Sequence, residues 1–273
     1  MRINQNPMAF NAYRNLSDTG NSLGKSLEKL SSGFRINRAA DDASGLVKSE
    51  GLRSEVGGAK QAIRNAQDGI SLVQTAEGSL NEVHAILQRM RDLAVSASNT
   101  ATNDGVAEQA EVDELRSELT AIGSRTQFSG QSVFSGSSRT FQIGANSGDT
   151  LSITFDGLSS AAIGASGAGN VSGIDLESAG GDASAAIGVI DTAIAAVSSQ
   201  RANLGANQNR LEHTIKNLAV STENLSAAES RIRDTDMASE MVNFTRNQIM
   251  QQAGTSMLAQ ANQVPQSVLS LLR

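Results

Sequence analysis

The 273-residue chain contains no cysteine and no tryptophan, two prolines and one tyrosine. Without cysteine, disulfides and thiolate metal sites are excluded in any compartment. Aromatics make up 3% of the residues, while Ala, Ser, Asn, Gln and Leu dominate. Such a composition suits long, narrow helical packing better than a thick interior filled by rings. The basic residues number 22 against 28 acidic, a net charge of −6, and no Lys/Arg cluster stands out. That argues against nucleic acid as a partner, because a phosphate backbone needs clustered positive charge. Residues 1–10 hold no apolar run of signal-peptide length and no cleavage pattern. No stretch approaches the roughly 18 consecutive apolar residues of a membrane helix. The expectation is a soluble protein without membrane insertion, cytoplasmic or exported by a route that cleaves no signal.

What is present is periodicity. From Leu52 an apolar or alanine seam runs Val56, Ala59, Ile63, Ala66, Ile70, Val73, Ala76, Leu80, Val83, Leu87, Met90, Ala94. Steps of four and three alternate, apart from one 3–3 step at Ile70–Val73–Ala76. This is a heptad pattern over about six repeats with one stammer. At about 1.5 Å rise per residue the helix is on the order of 65 Å long. A second seam follows on the same chain: Ile187, Ile190, Ile194, Val197, Leu204, Leu211, Ile215, Leu218, Leu225, Ile232. Arg201, Gln208, Thr222 and Glu229 occupy its remaining slots, polar breaks that weaken the seam and help fix register. A shorter helix is predicted from about Val106 to Ile122, through Val112, Leu115, Leu119 and Ile122, after an Asn/Thr-rich turn over 96–105. The fold class is mainly α: an elongated antiparallel helical bundle or coiled coil.

The segment at about 129–181 differs in character, with 11 of the 25 glycines and one basic residue, Arg139. Phe141 and Ile143 alternate on one side of 144–149 and Leu151, Ile153 and Phe155 on the other, which predicts a β-hairpin. The rest, 159–181, reads as loop, and no large outer domain is expected.

Both ends are amphipathic. Residues 5–30 carry Leu16, Leu23, Leu27 and Leu30. Residues 237–272 carry Val242, Ile249, Met257, Leu258, Ala261, Val264, Val268, Leu269, Leu271 and Leu272 among Gln and Asn. Paired only with each other, these segments leave apolar surface uncovered, the mark of an assembly surface.

Four stretches then carry a family signature. They are Ser31-Ser-Gly-Phe-Arg-Ile-Asn-Arg-Ala-Ala-Asp-Asp-Ala-Ser-Gly-Leu46, Asn65-Ala-Gln-Asp-Gly-Ile-Ser-Leu-Val-Gln-Thr-Ala-Glu-Gly78, Glu229-Ser-Arg-Ile-Arg-Asp-Thr-Asp-Met-Ala-Ser-Glu-Met241 and Met257-Leu-Ala-Gln-Ala-Asn-Gln-Val-Pro-Gln-Ser-Val-Leu269. In these the chain resembles bacterial flagellin, over both ends and most of the helical body. The resemblance implies a structural subunit that self-assembles into the flagellar filament for motility. It implies an inner terminal coiled-coil domain, residues 1–44 with 234–273, and a bundle domain, 45–233. It also implies export through the flagellar apparatus, a secretion chaperone, a filament cap, hook-junction neighbours and an extracellular, secreted home. Leu16, Leu23, Leu27, Leu30, Ile249, Met257, Leu258, Val264, Val268 and Leu272 are the expected assembly seam. Gln88-Arg-Met-Arg-Asp-Leu-Ala-Val95 resembles the segment that the animal Toll-like flagellin receptor recognises, which by motif falls on Arg89 and Leu93, with Glu111 on the next helix. In the family this patch is buried against a neighbouring subunit. Two rivals are a hook–filament junction protein of the same superfamily and a coiled-coil signalling module.

No enzymatic site, cofactor or metal is expected. His84 and His213 lack ligand partners at short spacing, so both read as structural. Ser22-Leu-Gly-Lys25 and Ser26-Leu-Glu-Lys29 fit a Ser-x-x-Lys pattern by coincidence on a Ser-rich helix. Gly164, Gly167, Gly169 and Gly173 miss the dinucleotide spacing. Asp41 and Asp42 read as caps or salt-bridge partners near Arg35 and Arg38 rather than a metal pair.

Overall fold

A computed structural model describes residues 6–99, 105–163, 170–176 and 183–271, with side chains to residue 263. In chain order the elements are α1 (Pro7–Ser32), α2 (Ala43–Ala97), α3 (Val106–Arg125), β1 (Gln127–Phe128), β2 (Gln131–Ser132), β3 (Ser138–Gln142) and β4 (Thr150–Thr154). A 3₁₀ turn (Val171–Gly173), α4 (Ala183–Arg233) and α5 (Met237–Leu271) complete the order. The chain divides into two units: Met1–Ser54 with Glu223–Arg273, and Glu55–Thr222.

In the second unit the α2 seam is buried as its spacing predicts. Ala66, Val73, Ala76, Leu80, Val83, Leu87, Met90 and Ala94 are shielded from water, with Ile63 and Ile70 partly so. Val112 and Leu119 of α3 join the same core. On α4 the buried face is Ala186, Ile190, Ala193, Val197, Gln200, Leu204 and Leu211. Ile187, Ile194 and Arg201, which the heptad reading places in the seam, are only half-buried beside it. Arg201 instead reaches Glu77 at 2.7 Å. One 18-residue window of α4 reaches a mean hydropathy of 1.2. Its buried share belongs to this face.

The hairpin falls where alternation predicts it: β3 and β4 pair antiparallel, with Phe141 opposite Leu151 and Arg139 opposite Ile153. Leu151, Ile153 and Phe155 turn into the core. The hairpin lies on α2 where that helix has glycine. A Cβ on Gly69 would touch Leu211 and Phe141, and one on Gly58 would come within 3.0 Å of Ala145. Asn65 Nδ2 donates to the Gln142 carbonyl at 3.0 Å, fixing the pair. A second ribbon, β1–β2, turns through Ser129 (φ 52°) and Gly130 (φ 77°), a two-residue hairpin turn with both φ positive. The described residues after β4 are turn, coil and one 3₁₀ turn, and among them Leu158, Ile163, Val171, Ile174 and Leu176 are buried. Gly123 of α3 meets this stretch so closely that an added Cβ would sit 2.9 Å from the Leu158 carbonyl oxygen. Gly123→Ala is therefore expected to destabilise the unit by about 1–3 kcal/mol through overpacking, read as a lower melting temperature.

The first unit is built differently. Asn6 caps α1, accepting from the Ala9 amide and donating to the Ala261 carbonyl at 2.7 Å, so α1 and α5 run antiparallel. Gly33 (φ 76°) ends α1 with its amide on the Lys29 carbonyl. Asp41 accepts from the Asn37 and Arg38 amides. Those bonds, the Arg38 amide foremost, hold its carboxyl below the usual aspartate range. Their contribution exists above the ordinary aspartate pKa and fades as pH falls through the lowered one. Asp42 caps α2 by accepting from the Gly45 amide at 2.8 Å. A side chain on Gly45 would collide with Asp42 and Ile36.

Candidate assembly surface

On α1 the shielded face runs Ala9, Ala12, Leu16, Thr19, Leu23, Ser26 and Leu30, in unbroken three–four steps. On α5, from Phe244 onward, it runs Phe244, Asn247, Gln251, Gly254, Leu258 and Ala261, again in three–four steps. The helices close up where Gly254 meets Leu16, whose Cδ1 lies 3.2 Å from where a Cβ would stand. Most of these positions are small or polar. Thr19 returns its hydroxyl to the Asn15 carbonyl, so it needs nothing from α5.

The apolar residues of both helices lie largely elsewhere. Met8, Phe10, Tyr13 and Leu27 of α1 are exposed, as are Met237, Met241, Val242, Ile249, Met250 and Met257 of α5. Met241, Val242, Thr245, Arg246, Ile249 and Met250 line one open groove. Among the described residues of this unit only Ile36 and Ala261 are buried hydrophobics. Apolar side chains avoid water wherever a fold allows it, and here ten large apolar or aromatic side chains of α1 and α5 stay exposed.

Of the expected seam, Leu16, Leu23, Leu30 and Leu258 are thus half-buried, and Leu27, Ile249 and Met257 are 55%, 61% and 63% exposed. The side chains of Val264 and Val268, and the whole of Leu272, lie outside the described residues, as do Gly164, Gly167 and Gly169. The two links of this unit are tied together. Phe34 and Asp234 form a β-bridge, with the Arg35 amide on the Arg233 carbonyl at 2.6 Å and the Thr235 amide on the Gly33 carbonyl at 2.9 Å. Arg233 pairs with Glu50 at 2.6 Å and stacks over the Phe34 ring at 4.9 Å. Sequence reasoning missed this clasp, because nothing local marks Phe34 and Arg233 as partners.

The second expected patch is on the other unit. Arg89 and Glu111 meet as a two-pronged ion pair, 2.7 and 3.1 Å, on an exposed surface. That hydrogen bond, with the attached charge, raises the Arg89 guanidinium above its usual value. Leu93 is buried in the core beneath. His84 and His213 stand apart, His84 touching Gln88 within its own helix. Among the described residues no group of three His, Asp or Glu is placed to hold a metal ion.

Similarity to known proteins extends over both units. The family model of the bacterial flagellin N-terminal helical region matches residues 3–139, and that of the C-terminal helical region matches 187–272. A flagellin of Bacillus subtilis is 47% identical, and one of Halalkalibacterium halodurans 51% identical, each alignment covering 100% of both chains. A flagellin of Treponema pallidum is 47% identical, again over 100% of both chains.

Proposed function

The chain belongs to the bacterial flagellin family and is a structural subunit of the flagellar filament, and we propose that it polymerises through the apolar faces that α1 and α5 turn outward. The observation that carries this reading is the α1–α5 pair, whose shared face mixes leucines with small and polar residues and leaves Ile249, Met250, Met257 and Phe10 outside. Copies of one chain joined head to tail by unlike patches form an open helix when the rotation does not close. Apolar burial at about 25 cal/mol per Å² drives each addition, against the entropy lost when a subunit docks. The terminal helices act as the inner domain, residues 1–44 with 234–273, and 45–233 as the surrounding one. The chain leaves the cell through the flagellar export apparatus with a secretion chaperone and joins the tip beneath a cap, on a filament whose base meets hook-junction proteins.

Limited proteolysis tests the division. Trypsin is expected to trim both ends of the free chain and spare the body, and the same ends become resistant once seeds have converted it to filament. Equal resistance of the ends before and after would count against the reading.

The Arg89–Glu111 pair supports a second contact, to a neighbouring subunit and to the animal Toll-like flagellin receptor. Both side chains are exposed and fixed by each other, a preformed polar fork beside a rigid core. Leu93, already buried, would support the fork and add little area. Arg89→Glu breaks both the pair and the contact. The swap Arg89→Glu with Glu111→Arg restores the internal pair only. If partners read the patch, the swap recovers melting behaviour yet still lowers filament yield and reporter-cell response. Full recovery of both by the swap overturns it.

A further inference from the structure

Seven methionines occur in the chain, and the six described divide sharply. Met90 is fully buried in the core of the second unit. Met8, Met237, Met241, Met250 and Met257 are between 47% and 63% exposed, and all lie on α1 and α5. A thioether is the most readily oxidised side chain left in a protein without cysteine. The oxidisable groups that water reaches are therefore concentrated on the faces that assembly has to bury.

We propose that Met241, Met250 and Met257 on α5 are an oxidative modification site through which hydrogen peroxide decides whether a free subunit can be added. This rests on the assembly reading above. The step is balanced by oxygen transfer. The methionine sulfur attacks the outer peroxide oxygen, an S–O bond forms as O–O breaks, and the sulfur loses two electrons. One water leaves per methionine, and the product is a sulfoxide. The sulfoxide is polar, and its oxygen is a strong hydrogen-bond acceptor. Met241 and Met250 flank Ile249 and Val242 in a groove whose lining is mainly apolar, Thr245 and Arg246 being its polar members, and a sulfoxide there must be desolvated when a neighbour covers it. Oxidation therefore poisons addition while leaving the second unit folded. Subunits already in the filament are shielded, because the same residues are covered there. Methionine sulfoxide reductases, supplied with a dithiol that gives two electrons and two protons per sulfoxide and is oxidised to the disulfide, return the thioether, release the oxygen as water and restore competence.

The test uses full-length chain and sheared filament seeds. Free chain is treated with hydrogen peroxide, oxidation is read methionine by methionine by mass spectrometry, and seeded elongation is followed by light scattering. The expected result is sulfoxide at Met241, Met250 and Met257 with Met90 spared, and an elongation rate at least about tenfold lower. A mixture of the two sulfoxide reductases, one for each epimer, restores the rate. Filaments treated alike show slower oxidation at the same three sites. The triple variant M241L/M250L/M257L is expected to elongate normally after peroxide. Should it fail to elongate untreated, reductase rescue of the natural chain carries the decision. Undiminished elongation by chain oxidised at these positions overturns the proposal, as does a loss that reductases leave unrepaired. Untreated chain that will not elongate from its own seeds overturns the assembly reading instead.

Discussion

Ile249→Asp combined with Met257→Asp is expected to abolish filament growth at concentrations where the natural chain polymerises. Both side chains are more than three-fifths exposed on α5, so the free chain has nothing to lose by the change. Exposed substitutions of this kind alter stability by about 0.5 kcal/mol or less, and circular dichroism should superpose on the natural chain's. In a filament the same carboxylates are carried into an apolar contact. An unpartnered polar group there costs about 2–7 kcal/mol, and a charge more. Since about 1.4 kcal/mol is a factor of ten, the critical concentration is expected to rise by about a hundredfold or more. Sedimentation after seeding measures it. A critical concentration unchanged within twofold would remove α5 from the assembly surface.

The largest effect on folding is expected at Phe155. Its ring is fully buried where the chain leaves β4, among Leu151, Ile153 and Leu158 in a core with few other aromatics. Phe155→Ala leaves a cavity that alanine-rich helices have no large side chains to refill. Such truncations cost about 3–5 kcal/mol. For a unit of this size, melting is expected to fall by roughly 6–20 °C. The α1–α5 pair should keep its helical signal, since Phe155 belongs to the other unit. A drop of under about 2 °C would mean that the hairpin contributes little to the core.

These two sites show what the sequence reveals and what it hides. The seam of α2 is legible because one helix face is apolar at every turn, from Val56 to Ala94. On α4 the eye follows Ile187 and Ile194, yet the closest packing falls on Ala186, Ala193 and Gln200. Alanine and glutamine carry little hydropathy signal, while small size is what lets a neighbour approach. The same blindness affects the ends. Periodicity picks out Leu16, Leu23 and Leu30, which are half-buried along the inner face of α1, together with Leu27, which is exposed. It has no means of knowing that Gly254 and Ala261 select the inner face of α5 and turn Ile249 and Met257 away. The β1–β2 ribbon has two residues per strand, too few to alternate. The buried Ile163, Val171 and Ile174 are spaced irregularly, so no period announces them. The clasp between Phe34 and Arg233 is a pairing across nearly two hundred residues. The Arg89–Glu111 fork joins residues of two separate helices, which no single helical period can relate.

The connection between β3 and β4 has a practical corollary. Ala145 rests on Gly58 and Asp149 holds the Asn146 amide, so the two feet of the turn are anchored. Ser147 and Gly148 at its tip are exposed. Foreign peptide spliced between them leaves the anchors and the strand register untouched, and exposed tips of this sort accept insertions best. Each subunit of a filament would then carry one copy of the guest, making the polymer a regularly spaced display scaffold.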